Sequence, residues 1–91
     1  MPDKYDYTQF KKKLEDEHSF PSVYMFKFIV PADNHKIALV ESLFTEEAKV
    51  SQKQSGKGNY FSLTARQVVM SSDEIIEIYK KATAIEGLIA L

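Results

Sequence analysis

Ser55-Gly56-Lys57-Gly58-Asn59 is the stretch of this chain whose residue types most invite chemistry. Its glycines tolerate positive φ and can turn backbone N–H groups to one side, while Lys57 and the nearby Lys53 supply positive charge. That combination can cradle a phosphate or a carboxylate. The spacing departs from the phosphate loop GxxxxGK[ST], and the stretch opens into a strand-like run, so no helix N-terminus faces the anion. A plain turn is the simpler reading, with an anion site as the alternative. Tyr60 and Arg66, just downstream, extend the weak ligand-binding set to Lys53, Lys57, Asn59, Tyr60 and Arg66.

RNA chemistry is the next candidate. The common βαββαβ RNA module stacks bases on aromatics of its central strands, within a motif of basic residue, Gly, aromatic, small residue, aromatic. Lys57-Gly58-Asn59-Tyr60-Phe61 starts that pattern, then places Asn59 where an aromatic is needed and Tyr60 where a small residue is needed, and Thr64 replaces the final aromatic. Tyr60 therefore reads as sheet packing. The remaining chemistry-bearing types are dispersed. His18 and His35 sit on different elements and make no metal site, and the consecutive Glu15, Asp16 and Glu17 point in different directions on a helix. No Ser stands in a G-x-S-x-G elbow. The loop Pro31-Ala32-Asp33-Asn34 after the first strand has no Arg and carries an acid, unlike the phosphate loop of acylphosphatases, which share this topology. No catalytic residue, metal or cofactor is implied.

Composition narrows the classes further. At 91 residues the chain is one domain, with 44% hydrophobic and 27% charged residues, as in ordinary soluble domains. Its core is small, so self-association as a homodimer would help it. The absence of Cys removes disulfides, thiolate metal sites and Cys nucleophiles. A formal net charge of −1 disfavours a dedicated nucleic-acid or anionic-membrane surface. The longest apolar stretch, 23–32, is interrupted by Lys27 and Pro31 and is too short to span a bilayer. The polar residues 1–13 lack a signal-peptide apolar region, so a cytoplasmic location is expected.

The elements that must position these residues follow from periodicity. Tyr7, Phe10 and Leu14 give a helix over 7–17, with Asp6 as its cap and Lys11, Lys12 and Lys13 placed for lateral ion pairs with Glu15, Asp16 and Glu17. Residues 23–30 alternate with apolar side chains on both faces, the signature of a central strand, and Pro31 ends it. A helix over 35–44, capped by Asp33 or Asn34, precedes a polar edge strand over 48–55. The glycine hairpin leads into a long strand over 60–70. Ser71-Ser72-Asp73-Glu74 is a capping box for the next helix, Gly87 suits the position just past it, and 88–91 make a last short strand. The order helix, then βαββαβ, predicts an α+β, ferredoxin-like sandwich: a four-stranded antiparallel sheet with two helices on one face and an extra N-terminal helix. Residues 1–19 form the helical extension and 20–91 the ferredoxin-like domain. The other sheet face, with Tyr60, Ser62, Thr64 and Arg66, is then left to the N-terminal helix or to a second copy.

With the elements placed, Phe20-Pro21 ahead of Phe26-Lys27-Phe28-Ile29, Ser55-Gly56-Lys57-Gly58-Asn59-Tyr60-Phe61-Ser62-Leu63 and the closing Gly87-Leu88-Ile89-Ala90-Leu91 resemble the YbeD-like family. These are small bacterial proteins of unknown function, sometimes labelled lipoate regulators. The first strand runs into Val30-Pro31-Ala32 where that family's pattern has a glycine. The resemblance implies an ACT-like, ferredoxin-like fold and no catalytic residues. The expected function is a non-enzymatic regulatory module for a small metabolite or a protein partner, without membrane contact. A nucleic-acid module on the open face and a small enzyme with an anion hole at the hairpin stand as alternatives.

Overall fold

Alternation decides β1 (Ser22–Pro31): Phe26, Phe28 and Val30 are fully buried and Tyr24 half-buried, while Val23, Met25 and Lys27 face outward. The same parity divides β3 (Tyr60–Val69), where Leu63, Ala65 and Val69 are buried and Tyr60, Arg66 and Val68 exposed. The computed structural model describes residues 7–91. In chain order these form α1 (Tyr7–Glu17), β1, α2 (Asn34–Glu41), β2 (Lys49–Ser55), β3, α3 (Ser72–Thr83) and β4 (Ile89–Ala90). The strands pair antiparallel in the order β2-β3-β1-β4. This is the ferredoxin-like arrangement expected from the sequence, with the two apolar strands central and polar β2 at an edge.

Local chemistry sets the helix ends. The Asp33 carboxylate accepts N–H groups of His35 and Lys36 at 2.8 and 3.2 Å and so caps α2. Ser71 caps α3 by accepting the Glu74 N–H at 3.3 Å, and the Glu74 carboxylate accepts the Met70 N–H at 3.1 Å, one residue further back than in a strict capping box. α2 stops at Glu41 instead of continuing to residue 44: the Ser42 hydroxyl donates to the Leu39 carbonyl at 2.6 Å, and the Leu43 and Phe44 N–H groups close tighter turns on the Val40 and Glu41 carbonyls at 3.0 and 3.2 Å. Phe44 is thereby freed to pack 5.3 Å from Phe26. α3 ends at Thr83, with Ala84 as its right-handed cap, so Gly87 is not the cap residue. Gly87 instead takes φ 84° in the following turn, where a Cβ would stand 2.9 Å from the Pro31 ring.

α1 lies on the helical side of the sheet and not on the opposite face. Leu14 is 3% exposed and belongs to the common core, and the Phe10 ring meets Tyr79 edge-on at 5.4 Å. Lys11 reaches across to Asp73 at 3.0 Å, and the Ser72 hydroxyl donates to Glu15 at 2.9 Å. The hydrogen bond and charge of Asp73 raise the Lys11 pKa above its ordinary value. Lys11 therefore ties α1 to α3, while Glu15, four residues on in its own helix, adds a smaller favourable charge. The expected cap, Asp6, lies outside the described residues. Behind α1, Tyr24, Phe26, Phe28 and Tyr79 form a continuous aromatic cluster with centroids 4.8–6.5 Å apart. Burial, with the Tyr24 hydroxyl 3.4 Å away, pushes the Tyr79 pKa up.

Candidate cationic face and glycine hairpin

Residues directly opposite on paired strands share a face. On the face away from the helices, β1 and β3 therefore set Val23 against Val68, Met25 against Arg66, Lys27 against Thr64 and Ile29 against Ser62. β2 adds Lys49 beside Arg66, Ser51 beside Thr64, Lys53 beside Ser62 and Ser55 beside Tyr60. β4 adds Ile89 beside Ile29. Among the described residues, none of the four strands contains an Asp or a Glu. Lys27, Lys49, Lys53 and Arg66 are all exposed on this one face, and none is in an ion pair among the described residues. Lys49 directly opposite Arg66 is a like-charge cross-strand pair, a destabilising arrangement. A shallow cleft of about 400 Å³ lies between Lys49, Arg66, Val23 and Val68, with Thr45 and Glu47 at its end. The Thr45 N–H donates to Gln67 at 2.8 Å, which fixes that end.

At the other end of the sheet the hairpin is held by its backbone. Lys57 has φ 58° and ψ 29°, Gly58 has φ 88°, and the Asn59 N–H closes the turn on the Gly56 carbonyl at 3.1 Å. Both central residues thus lie in the left-handed region that a type I′ turn requires, within a four-residue loop between the paired Ser55 and Tyr60. A lysine there costs about 1–2 kcal/mol relative to a right-handed conformation. A Cβ on Gly56 would lie 3.2 Å from the Tyr60 ring, and one on Gly58 would lie 2.9 Å from the Gln54 amide. The ring and the amide thus flank the turn on its two sides, leaving a shallow depression of about 330 Å³ lined by Gln54, Ser55, Lys57 and Gly58. The Asn59 carbonyl accepts the Ala32 N–H at 2.9 Å and ties the hairpin to the loop after β1.

The five residues expected from the sequence thus fall into two places. Lys57, Asn59 and Tyr60, which is 41% exposed, lie at the hairpin, with Lys53 two residues before its first residue pair. Arg66 is six residues from Tyr60 along β3, roughly 20 Å at strand rise, and joins Lys49 and Lys27 instead. The amides at the start of α2 are taken by Asp33. His35 is exposed, and His18 packs against Tyr24 and Phe20 at centroid distances of 5.6 and 6.2 Å.

Residues 15–91, which include the whole sheet, match the model of a family described as a protein of unknown function, DUF493. The chain belongs to the DUF493 family. It is 32% identical over 80 residues to a UPF0250 protein of Shewanella halifaxensis, covering 84% of this chain and 91% of the relative. UPF0250 proteins of Shewanella piezotolerans and Shewanella putrefaciens are 30% and 32% identical, with the same coverage. No solved structure matches. The YbeD-like resemblance read from the hairpin motif points to this same DUF493 group, and the family description assigns no activity.

Within this DUF493 chain, Lys27 and Lys49 are the residues that reading by motif missed. The available signal was parity: Lys27 has the parity of the outward residues of β1, and none of the strand segments contains a carboxylate. Joining Lys27 and Lys49 to Arg66 also requires the registers between strands, which only the fold supplies.

Proposed function

We propose that this DUF493 protein is a non-enzymatic, cytoplasmic regulatory module that binds an anionic ligand or partner on the open face of its sheet. One observation carries the reading: Lys27, Lys49, Lys53 and Arg66 share a face whose strands hold no carboxylate. A bound anion bridging Lys49 and Arg66 relieves their repulsion, so the free protein is poised to gain by binding. Lys57, Asn59 and Tyr60 extend the surface at the hairpin. Neither histidine stands on this face, which favours binding over acid–base chemistry there.

The test is the thermal midpoint of the protein against organic acids, nucleotides and coenzyme A esters, with neutral analogues as controls. A ligand at about a hundred times its dissociation constant adds roughly 2.7 kcal/mol, which raises the midpoint of a domain this size by on the order of 10 °C. The shift is expected for anions only and is expected to vanish in Arg66→Glu. Equal shifts with neutral analogues, or shifts untouched by Arg66→Glu, overturn the site. A nucleic-acid contact is the second reading, favoured by the same cations together with exposed Tyr60. It requires affinity for single-stranded RNA that falls linearly with the logarithm of salt concentration.

A further inference from the structure

We propose that the anionic partner is an acidic amphipathic helix of another protein, lying along β1 with its apolar stripe on Val23, Met25 and Ile29 and its carboxylates over Arg66, Lys49 and Lys53. This rests on the anion-binding reading above and adds the form in which the anion is presented. The open face is divided lengthwise. Along β1 run Val23, 63% exposed, Met25, 49% exposed, and Ile29, flanked by Val68 on one side and Ile89 on the other. Along β3 and β2 run Arg66, Thr64 and Ser62 beside Lys49, Ser51 and Lys53. Lys27 alone interrupts the apolar column.

The dimensions suit a helix. Val23 to Ile29 spans roughly 20 Å of strand, the length of about 13 helical residues. Neighbouring strands lie about 5 Å apart, so Arg66 on β3 sits under the flank of a helix centred on β1, while Lys49 and Lys53 on β2, about 10 Å from β1, reach that flank with their long side chains. Lys49 and Lys53 are four residues apart on one strand, about 13 Å, close to the roughly 12 Å between carboxylates eight residues apart on a helix.

Other occupants fit less well. Small-molecule sites are concave and enclose their ligand, whereas the openings described on this face are a shallow cleft at one end and the shallow hairpin depression at the other. RNA on such a sheet stacks on central aromatics, but the outward positions at the middle of β1 and β3 are Met25, Lys27, Ile29, Ser62 and Thr64. A second copy laid face to face would bring a second set of the same cations to the interface and no strand carboxylate to pair with them. The β2 edge is polar and carries Lys49 and Lys53, a composition that resists strand addition.

The experiment uses the full chain and a labelled synthetic peptide of about 16 residues, with Leu at i, i+3, i+4 and i+7 spacing and Glu on the flanks. A scrambled peptide of the same composition, inorganic tripolyphosphate and single-stranded RNA serve as comparators, all read by anisotropy or competition. The patterned peptide is expected to bind about tenfold or more tighter than the scrambled one, and Met25→Asp and Arg66→Glu are each expected to remove about tenfold. Equal binding of the two peptides overturns the helix. So does tighter binding of tripolyphosphate or RNA that Arg66→Glu abolishes and Met25→Asp spares, and in that case the anion-binding face stands. A dimer of the protein alone, dissociated by Met25→Asp in sedimentation, also overturns it. Failure of every anion to bind removes both readings.

Discussion

One sheet presents two surfaces that differ in almost every physical respect. The side under the helices holds Phe26, Phe28, Val30, Leu63 and Val69, all fully buried, and a tyrosine pair whose hydroxyls meet each other. The other side holds exposed methionine and valines next to four cations on strands that contain no carboxylate, with Glu47 of the preceding loop at the end of their cleft. Both surfaces share β1 and β3, residue by alternate residue, and β2 adds two of the cations to the open one. Folding free energy is therefore concentrated in one parity of β1 and β3. The other parity is free to hold residues that the fold does not need and that cost it a little. A lysine at positive φ in the hairpin and the Lys49–Arg66 pair are two such costs.

The contrast can be broken most severely at neighbouring residues. Phe26→Ala is expected to cost about 3–5 kcal/mol, enough to leave so small a domain largely unfolded by circular dichroism. Met25→Ala, one residue away on the other parity, is expected to shift stability by less than about 0.5 kcal/mol in the same denaturant titration. Comparable losses at both positions would mean that the open face is covered in the free protein.

The tyrosine pair sharpens the covered side through pH. The folded-state pKa of Tyr79 is raised, chiefly by burial and then by Tyr24, while the unfolded chain ionises near the ordinary value of about 10. Above that pH the unfolded state has lost a proton that the folded state keeps, so stability falls as pH rises. The thermal midpoint is expected to drop above about pH 10, and Tyr79→Phe is expected to flatten that drop. An identical alkaline loss in the variant would place its cause elsewhere.

Much of the covered side was legible in the sequence. The strand patterns over 23–30 and 60–70, the cap at Asp33 or Asn34, the capping box from Ser71, and short connections together leave few topologies, and the expected one is present. The docking side of α1 was not legible. Its Tyr7, Phe10 and Leu14 stripe can be buried on either face, and only the partners Tyr79, Ser72 and Asp73 settle the choice. The open face was legible residue by residue but not as a unit. A net charge of −1 averages over two layers, and it conceals that, among the described residues, the acids lie on helices and loops while the only charged residues of the strands are cations. The hairpin attracted attention because its motif is contiguous, whereas Lys27, Lys49 and Arg66 come from three strands.

The separation of the two faces is tested most directly by the thermal midpoint of Arg66→Glu without any ligand, at low and at high salt. The substitution turns a repulsive cross-strand pair into an attractive one, worth roughly 0.2–1 kcal/mol. At low salt the midpoint is expected to equal or exceed that of the unsubstituted protein by up to a few degrees, and near 1 M salt the difference is expected to disappear, as the Debye length falls to about 3 Å. A fall of several degrees at low salt would contradict the separation, because Arg66 would then be contributing to the fold and not held in reserve for an anion.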